Sequence, residues 1–344
     1  MSRHILSTGQ WHCYHETGVP VTCSGSGQDA EFRPGITWPC PRFTTENGTA
    51  HDLLTGLVWS QDANPGEFPC TWQQALAAVK ELNKEKYCGR SDWRLPNRRE
   101  LRSLMDYQTK KPSLPRDHPF TNVFIHWYWS STTAVIHPGY AWCVHLEGAR
   151  MFYGKKTQEA MFWPVCGKGN NMLAATGQQQ CYNPDGKVIP CGGSGQDGEL
   201  RFGASWPTPR FVLVGAGRVR DELTGLSWWQ DADVTAGRVS WQQALTAVRN
   251  FKISEGQNWR LPTINELESL VDADNHSPAL PQGHPFNNLR DGYWSSTTSF
   301  FETDWAWVLY LDKGACGVGY KPDATFHVWP VMETKDDGVA ESVC

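Results

Sequence analysis

Charge is scarce in this chain. Only 19% of its 344 residues are Asp, Glu, Lys or Arg, and the formal net charge is −5. A general nucleic-acid binder carries a basic excess, so that class is excluded. Long apolar runs are missing too, since no stretch approaches the ~20 residues that a membrane-spanning helix needs. Met1 to Gly9 has no apolar core of signal-peptide length, and the expectation is that any export signal lies outside this chain or was never there. What the chain has is tryptophan, 18 residues of it, with 32 Gly and 22 Pro. That composition points to short strands and long packed loops, not to helical bundles.

The tryptophans recur in order. Trp93-Arg94-Leu95-Pro96 is followed by Glu100-Leu101, and Trp259-Arg260-Leu261-Pro262 by Glu266-Leu267 at the same spacing. Upstream of each lie Leu-Thr-Gly-Leu-x-Trp, from Leu54 or Leu223, and Trp-Gln-Gln-Ala-Leu, from Trp72 or Trp241. Downstream come His-Pro-Phe (His118, His284), Tyr-Trp-Ser-Ser-Thr-Thr (Tyr128, Tyr293) and Trp-Pro-Val (Trp163, Trp329). Matched residues sit about 166 to 169 positions apart, which is one unit duplicated and not a short-period solenoid. Two domains are expected, 1–168 and 169–344, with the polar stretch Lys168 to Asn171 linking them.

Each unit opens with a small lobe. Cys13 and Cys23 recur as Cys181 and Cys191 with a turn between them, and each pair is expected to form a disulfide across a hairpin. A zinc half-site is the alternative, but no second pair recurs nearby to complete four ligands. Cys143–Cys166 is the expected further bridge. Cys40, Cys70, Cys88, Cys316 and Cys344 are left unassigned, and an odd total of 11 leaves one thiol over. This cysteine usage fits an oxidising compartment. Gly25-Ser26-Gly27-Gln28-Asp29 and its copy at Gly193 read as a polar turn whose Asp caps backbone N–H groups. No helix pattern or Lys-Ser/Thr follows to make it a phosphate cradle.

Asp52 to Trp59 and Asp221 to Trp228 each read as a strand entered through a Thr-Gly turn. Thr71 and Ser240, each with a Gln three residues later, open one helix per unit through a capping box. Asn97 with Glu100, and Thr263 with Glu266, open the second. That role accounts for the repeated glutamate without catalysis. Period-two patterns then give strands at Tyr128–Thr132 and Ala141–Leu146, at Ala306–Leu311, and finally at Trp163–Val165 and Trp329–Val331. The fold class is α+β: two tandem units, each with two helices on a twisted antiparallel sheet and a disulfide-closed N-terminal lobe.

Four of these motifs, Leu-Thr-Gly-Leu-x-Trp, Trp-Arg-Leu-Pro-x-x-x-Glu-Leu, Tyr-Trp-Ser-Ser-Thr-Thr and Trp-Pro-Val, in order and twice, resemble the family called domain of unknown function 1566, the C-terminal domain of the Legionella collagen-like adhesin. The resemblance covers both halves nearly end to end. It implies a C-type lectin-like fold, a secreted or cell-surface location, and, as in the adhesin, binding of sulfated glycans. Similar folds serve as retroelement-diversified binding proteins and as the formylglycine-generating enzyme. The enzyme chemistry requires a cysteine pair in the core sheet; Cys143 and Cys166 face Val308 and Met332 in the second copy, so no enzyme is expected.

The expected function is non-catalytic binding of an extracellular glycan or surface protein, with a protein–protein module as the alternative. The expected ligand surface is the stretch where the copies diverge, between the Ser-Ser-Thr-Thr and Trp-Pro-Val motifs. It offers His145, Arg150, Tyr153, Lys155 and Lys156 in the first copy. In the second it offers Phe300, Phe301, Asp304, Tyr310, Lys313, Tyr320 and Lys321. Aromatic faces stack on sugar rings and Lys/Arg clusters attract sulfate or carboxylate. Asp29, Asp52 and Asp62 recur as Asp197, Asp221 and Asp231, yet no Asp-rich loop appears. No cofactor and no sugar-bridging calcium is expected, a structural one being left open.

Overall fold

The computed structural model describes residues 4–215, 217–255 and 257–333; Cys344 lies outside them. The first repeat begins with the hairpin β1 (Cys13–Tyr14) and β2 (Pro20–Val21), then α1 (Asp29–Phe32). Strands β3 (Phe43–Glu46), β4 (Thr49–Asp52), β5 (Val58–Ser60) and β6 (Cys70–Thr71) precede helix α2 (Trp72–Lys84) and helix α3 (Arg98–Ser103). The late strands are β7 (Trp127–Thr133), β8 (Tyr140–His145), β9 (Arg150–Lys155), β10 (Glu159–Ala160) and β11 (Val165–Cys166). The second repeat follows the same order: β12 (Cys181–Tyr182), β13 (Val188–Ile189), α4 (Asp197–Leu200), β14 (Phe211–Leu213), β15 (Arg218–Asp221) and β16 (Leu226–Trp229). Helices α5 (Trp241–Glu255) and α6 (Ile264–Ser269) lead to β17 (Gly292–Thr298), β18 (Trp305–Tyr310), β19 (Ala315–Tyr320) and β20 (Val331–Glu333). This is a mixed α and β chain of two tandem repeats.

The repeated motifs have local causes. Thr71, Asn97, Ser240 and Thr263 each accept from the N3 backbone N–H while the N3 side chain returns to the cap, so all four capping boxes close as expected. Glu100 has a second task. Both its oxygens take Arg94, at 2.6 and 2.7 Å, and Arg260 makes the same fork to Glu266. The Arg of the Trp-Arg-Leu-Pro motif is thus the buried partner of its own helix cap. In Leu-Thr-Gly-Leu, Asp52 gathers Arg42, the Thr55 hydroxyl and the Leu54 N–H. The expected Thr-Gly turn forms and leads into β5 and β16, and Asp52 itself ends β4, because its carboxylate folds the turn back.

The late strands join across the repeats. β7, β8 and β9 meet β19, β18 and β17 in one six-stranded sheet, with Cys316 opposite Met151 at the seam. Stretches expected as loops, Arg150–Lys155 and Ala315–Tyr320, are therefore the sheet's two central strands. On one face, Trp142, Val144 and Leu146 share one core with Trp307, Leu309 and Leu311; on the other, Trp129, Ala141 and Cys143 pack under α2 and Trp294, Ala306 and Val308 under α5. The last strands begin at Val165 and Val331, two residues later than expected, after Pro164 and Pro330.

Both expected lobe disulfides, Cys13–Cys23 and Cys181–Cys191, are formed. Their lobes are exchanged. Asp29 of the first lobe accepts from Thr297 of the second repeat at 2.6 Å, and Asp197 of the second lobe accepts from Thr132 of the first at 2.6 Å. Gln10 brackets the Thr298 backbone and Gln178 the Thr133 backbone in the same reciprocal way. Each carboxylate is fully buried, and burial pushes both up to about 6 against the hydroxyls that hold them. The expected capping role belongs to another residue: Glu31 and Glu199, not the Asp, accept the backbone N–H groups of the Gly-Ser-Gly turn.

At the junction of the repeats the residues are not equivalent. Arg98, Arg99 and Arg102 of α3 occupy the positions that Ile264, Asn265 and Glu268 hold in α6. Arg102 Nε lies 3.0 Å from Glu268 and Arg98 Nη2 lies 3.6 Å from it, while Arg99 donates to the carbonyls of Ser269 and Val271. Two copies of α3 would bring only like charges together, so this seam specifies the pairing of unlike halves.

Candidate functional site

The register places a set of side chains on the face of the sheet opposite the shared core. Trp127 pairs with His145 and Trp129 with Cys143; Cys143 pairs with Phe152, His145 with Arg150 and Ala141 with Gly154. Residues directly opposite share a face. They enclose a cleft of about 280 Å³, walled by Trp127, Trp129 and Phe152 over Gly154, and rimmed by Gln158 and Glu159. Trp129 is fixed by a bond from its indole N–H to the Cys70 carbonyl, 2.9 Å. Phe152 is 43% exposed, a large apolar ring facing water. Deep in the cleft the Cys143 thiol donates to the Phe152 carbonyl at 3.4 Å, and burial pushes it up to about 12. A thiol so protonated is no nucleophile at neutral pH.

Polar groups border this face. His145 packs edge-on to Trp127, ring centroids 4.9 Å apart. Burial, then the neighbouring Arg150, pull its imidazole below the ordinary value, so it is neutral at pH 7. Arg150 is exposed and lies 3.3 Å from Glu147, which also holds Lys111 at 2.7 Å. Because β9 and β19 are neighbours, Lys313 of the second repeat reaches across, its Nζ 5.9 Å from the centre of the Phe152 ring.

The second repeat fills the equivalent space. Phe326 stands where the first repeat has Ala160, and its ring meets Trp294 at 4.8 Å and Tyr310 at 5.9 Å. A Cβ added at Gly319 would lie 2.6 Å from both Phe326 and Trp294, and one at Gly292 would lie 2.5 Å from Phe326. Trp127 and Phe152 correspond to Gly292 and Gly317. Bulk has moved from the strands to the closing loop, and the cleft is shut.

Of the residues expected to bind, His145, Arg150, Tyr310 and Lys313 gather on or beside this face, while Tyr153, opposite Trp142, packs against the shared core. Lys155 is exposed, but strand alternation turns its side chain to the other side. Lys156 and Lys321 are corrections. They are 1% and 0% exposed. Lys156 Nζ donates to the Thr133 hydroxyl and the Tyr182 carbonyl over the Trp72 ring; Lys321 does the same with Thr298, Thr303 and Trp241. Burial lowers both ammonium groups to about 7. Phe300 and Phe301 turn to the first repeat, against Tyr14 and Lys110 and against Lys111 and Gly148. Asp304 sits beside Gly18 of the first lobe, and Tyr320 lies exposed against Trp305.

The expected Cys143–Cys166 bridge is also corrected. Both thiols are free and buried in separate clusters, Cys143 under α2 and Cys166 beside Val58 and Trp93. The Ser-Ser-Thr-Thr hydroxyls are spent on the fold: Ser130 on the Trp142 carbonyl, Thr132 on Asp197, Thr133 on Lys156. His118 and His284 stack on Phe120 and Phe286, as loop packing. Among the described residues no three His, Cys, Asp or Glu side chains gather as a metal site. Sequence reasoning missed Trp127, Trp129, Phe152, Gln158 and Glu159. The signal was the pair of mismatches, Ala160 against Phe326 and Trp127 against Gly292, inside otherwise matched motifs.

A family model described as the Lcl C-terminal domain matches the chain twice, over residues 48–166 and 217–332. This chain belongs to the Lcl C-terminal domain family. The two matched spans hold the six-stranded sheet and its helices and leave both disulfide lobes outside. The exchange of lobes is therefore an addition around the Lcl C-terminal domains of this chain. No curated protein matches it.

Proposed function

We propose that this tandem of Lcl C-terminal domains is a non-catalytic, extracellular binding protein of adhesive role, with a C-type lectin-like arrangement in each of the units 1–168 and 169–344. Its ligand is a glycan or a glycan-bearing surface, met by the exposed face of the six-stranded sheet. One observation carries the reading: a cleft walled by Trp127 and the exposed Phe152 over the buried Trp129, with Gln158 and Glu159 as its polar rim. Indole and phenyl faces offer a sugar ring apolar contact, and the polar rim orients its hydroxyls. Two formed disulfides suit an oxidising location, and among the described residues no helix is long and apolar enough to cross a membrane.

A glycan array probed at two salt concentrations tests this, with Phe152→Ala printed against the wild type. Binding that weakens in Phe152→Ala supports the sheet face. Equal binding by both proteins would move the ligand elsewhere, and an array without hits would remove the glycan reading.

A further inference from the structure

We infer that the two repeats differ in function: the first carries the saccharide cleft, the second is closed by its own Phe326, and the cleft takes a neutral pyranose, not a sulfated one. This rests on the glycan-binding reading above and sharpens it to one site and one chemical class.

Two observations support the asymmetry. In the second repeat a six-membered ring already lies against Trp294 over Gly319, where a Cβ would have no room. Phe326 thus acts as a built-in occupant, and a pyranose has nearly its thickness and breadth. In the first repeat Ala160 supplies no such ring: a Cβ on Gly154 would meet Trp129 at 3.3 Å and Gln158 at 3.4 Å, and the cleft lies beyond them. Trp127 and Phe152 have moved to the sides as walls.

The class follows from charge. The cleft lining holds one carboxylate, Glu159, an amide, Gln158, and among the described residues no lysine or arginine. A sulfate inside it would face that carboxylate with no counter-ion, which is costly in a half-enclosed apolar cleft. Arg150 is engaged with Glu147, and Lys313 lies above the Phe152 ring at the outer edge. Ring hydroxyls, by contrast, donate to Glu159 and exchange bonds with Gln158 while the C–H face of the sugar lies on the aromatic walls. An aromatic peptide side chain would leave the polar rim without partners.

The experiment exchanges the closing pair. Trp127→Gly with Ala160→Phe transplants the closed arrangement into the first repeat, and Gly292→Trp with Phe326→Ala opens the second. Phe152→Ala, at an exposed site, is a variant that folding tolerates. Neutral N-acetylglucosamine and cello-oligosaccharides, and separately heparin, are titrated by calorimetry. We expect the wild type to bind one neutral oligosaccharide per chain. The closed variant should lose it and Phe152→Ala should weaken it about tenfold, while the opened variant, with Gly317 and Thr325 in place of Phe152 and Glu159, should still bind one. Retained one-to-one binding in the closed variant overturns the site while leaving glycan binding intact. Heparin binding that the closed variant abolishes, without neutral binding, overturns the class. Silence toward both probes overturns the glycan reading itself.

Discussion

The acid–base seam between the repeats gives a prediction with a calculable size. Glu268 is buried and takes Arg102 at 3.0 Å and Arg98 at 3.6 Å. At an effective dielectric of about 20, each contact is a gross attraction of roughly 5 kcal/mol, most of it offset by lost hydration. Changing Glu268→Leu leaves two buried guanidinium groups without a carboxylate. Arg98 keeps the Gly314 carbonyl and the face of Trp142, and Arg102 keeps the Ala149 carbonyl. The loss should therefore fall at the low end of the range for a broken buried pair, about 3 kcal/mol. Replacing all three, as Arg98→Met, Arg102→Met and Glu268→Leu, removes the unpaired charge and should return to within about 1 kcal/mol of the wild type. Urea unfolding of the three proteins at pH 7 measures both. Burial raises the Glu268 carboxyl, but Arg102, Arg98 and Arg99 outweigh it and hold it below its ordinary value. Its stabilisation is thus present above the usual carboxylate range and fades as pH falls beneath it, so Glu268→Leu should flatten the acid limb. A single variant costing under about 1 kcal/mol, or a triple no better than the single, would refute the seam as the device that pairs unlike halves.

Other expectations follow from the same packing. Asp29 and Asp197 are raised to about 6 by burial, so their stability contribution is full below the ordinary Asp value of 3.8 and falls as pH rises through 6. Asp29→Asn with Asp197→Asn should remove that slope from a stability–pH profile. Lys156 and Lys321, lowered to about 7, should make stability rise between pH 7 and the ordinary lysine value of 10.5. Lys156→Met should flatten that limb yet leave oligosaccharide affinity unchanged, and a change in affinity would return this residue to the binding surface. Reduction of the Cys13–Cys23 bridge should cost about 2–3 kcal/mol in a thermal or urea melt. Because that lobe docks on Thr297, the loss should register in amide exchange of β17 in the second repeat.

Much of the scaffold was legible because its causes are local. The capping boxes at Thr71, Asn97 and Thr263 and the short lobe disulfides need only neighbours within a few residues. The strands Arg150–Lys155 and Ala315–Tyr320 were hidden by glycine. Gly154, Gly317 and Gly319 weaken any strand reading, and they are strands because Trp129, Tyr310 and Phe326 lie over them from distant elements. Lys156 reads as a surface residue until Tyr182 arrives from the other lobe to accept its proton donor. The lobe exchange left no trace in the pattern at all. Asp29 and Asp197 are the same residue, as are Thr132 and Thr297, so the contacts are chemically identical whether each lobe stays or crosses.

The central claim, that the exposed sheet face of the first repeat meets the ligand, is tested most directly by the tryptophan indole spectrum. With ¹⁵N-labelled indoles and a neutral oligosaccharide titrated to saturation, the Trp127 resonance, assigned through Trp127→Phe, should shift in proportion to occupancy. Those of Trp59 and Trp163, buried in the shared core, should stay in place. A saturable ligand that moves other indoles while leaving Trp127 unmoved would contradict the account.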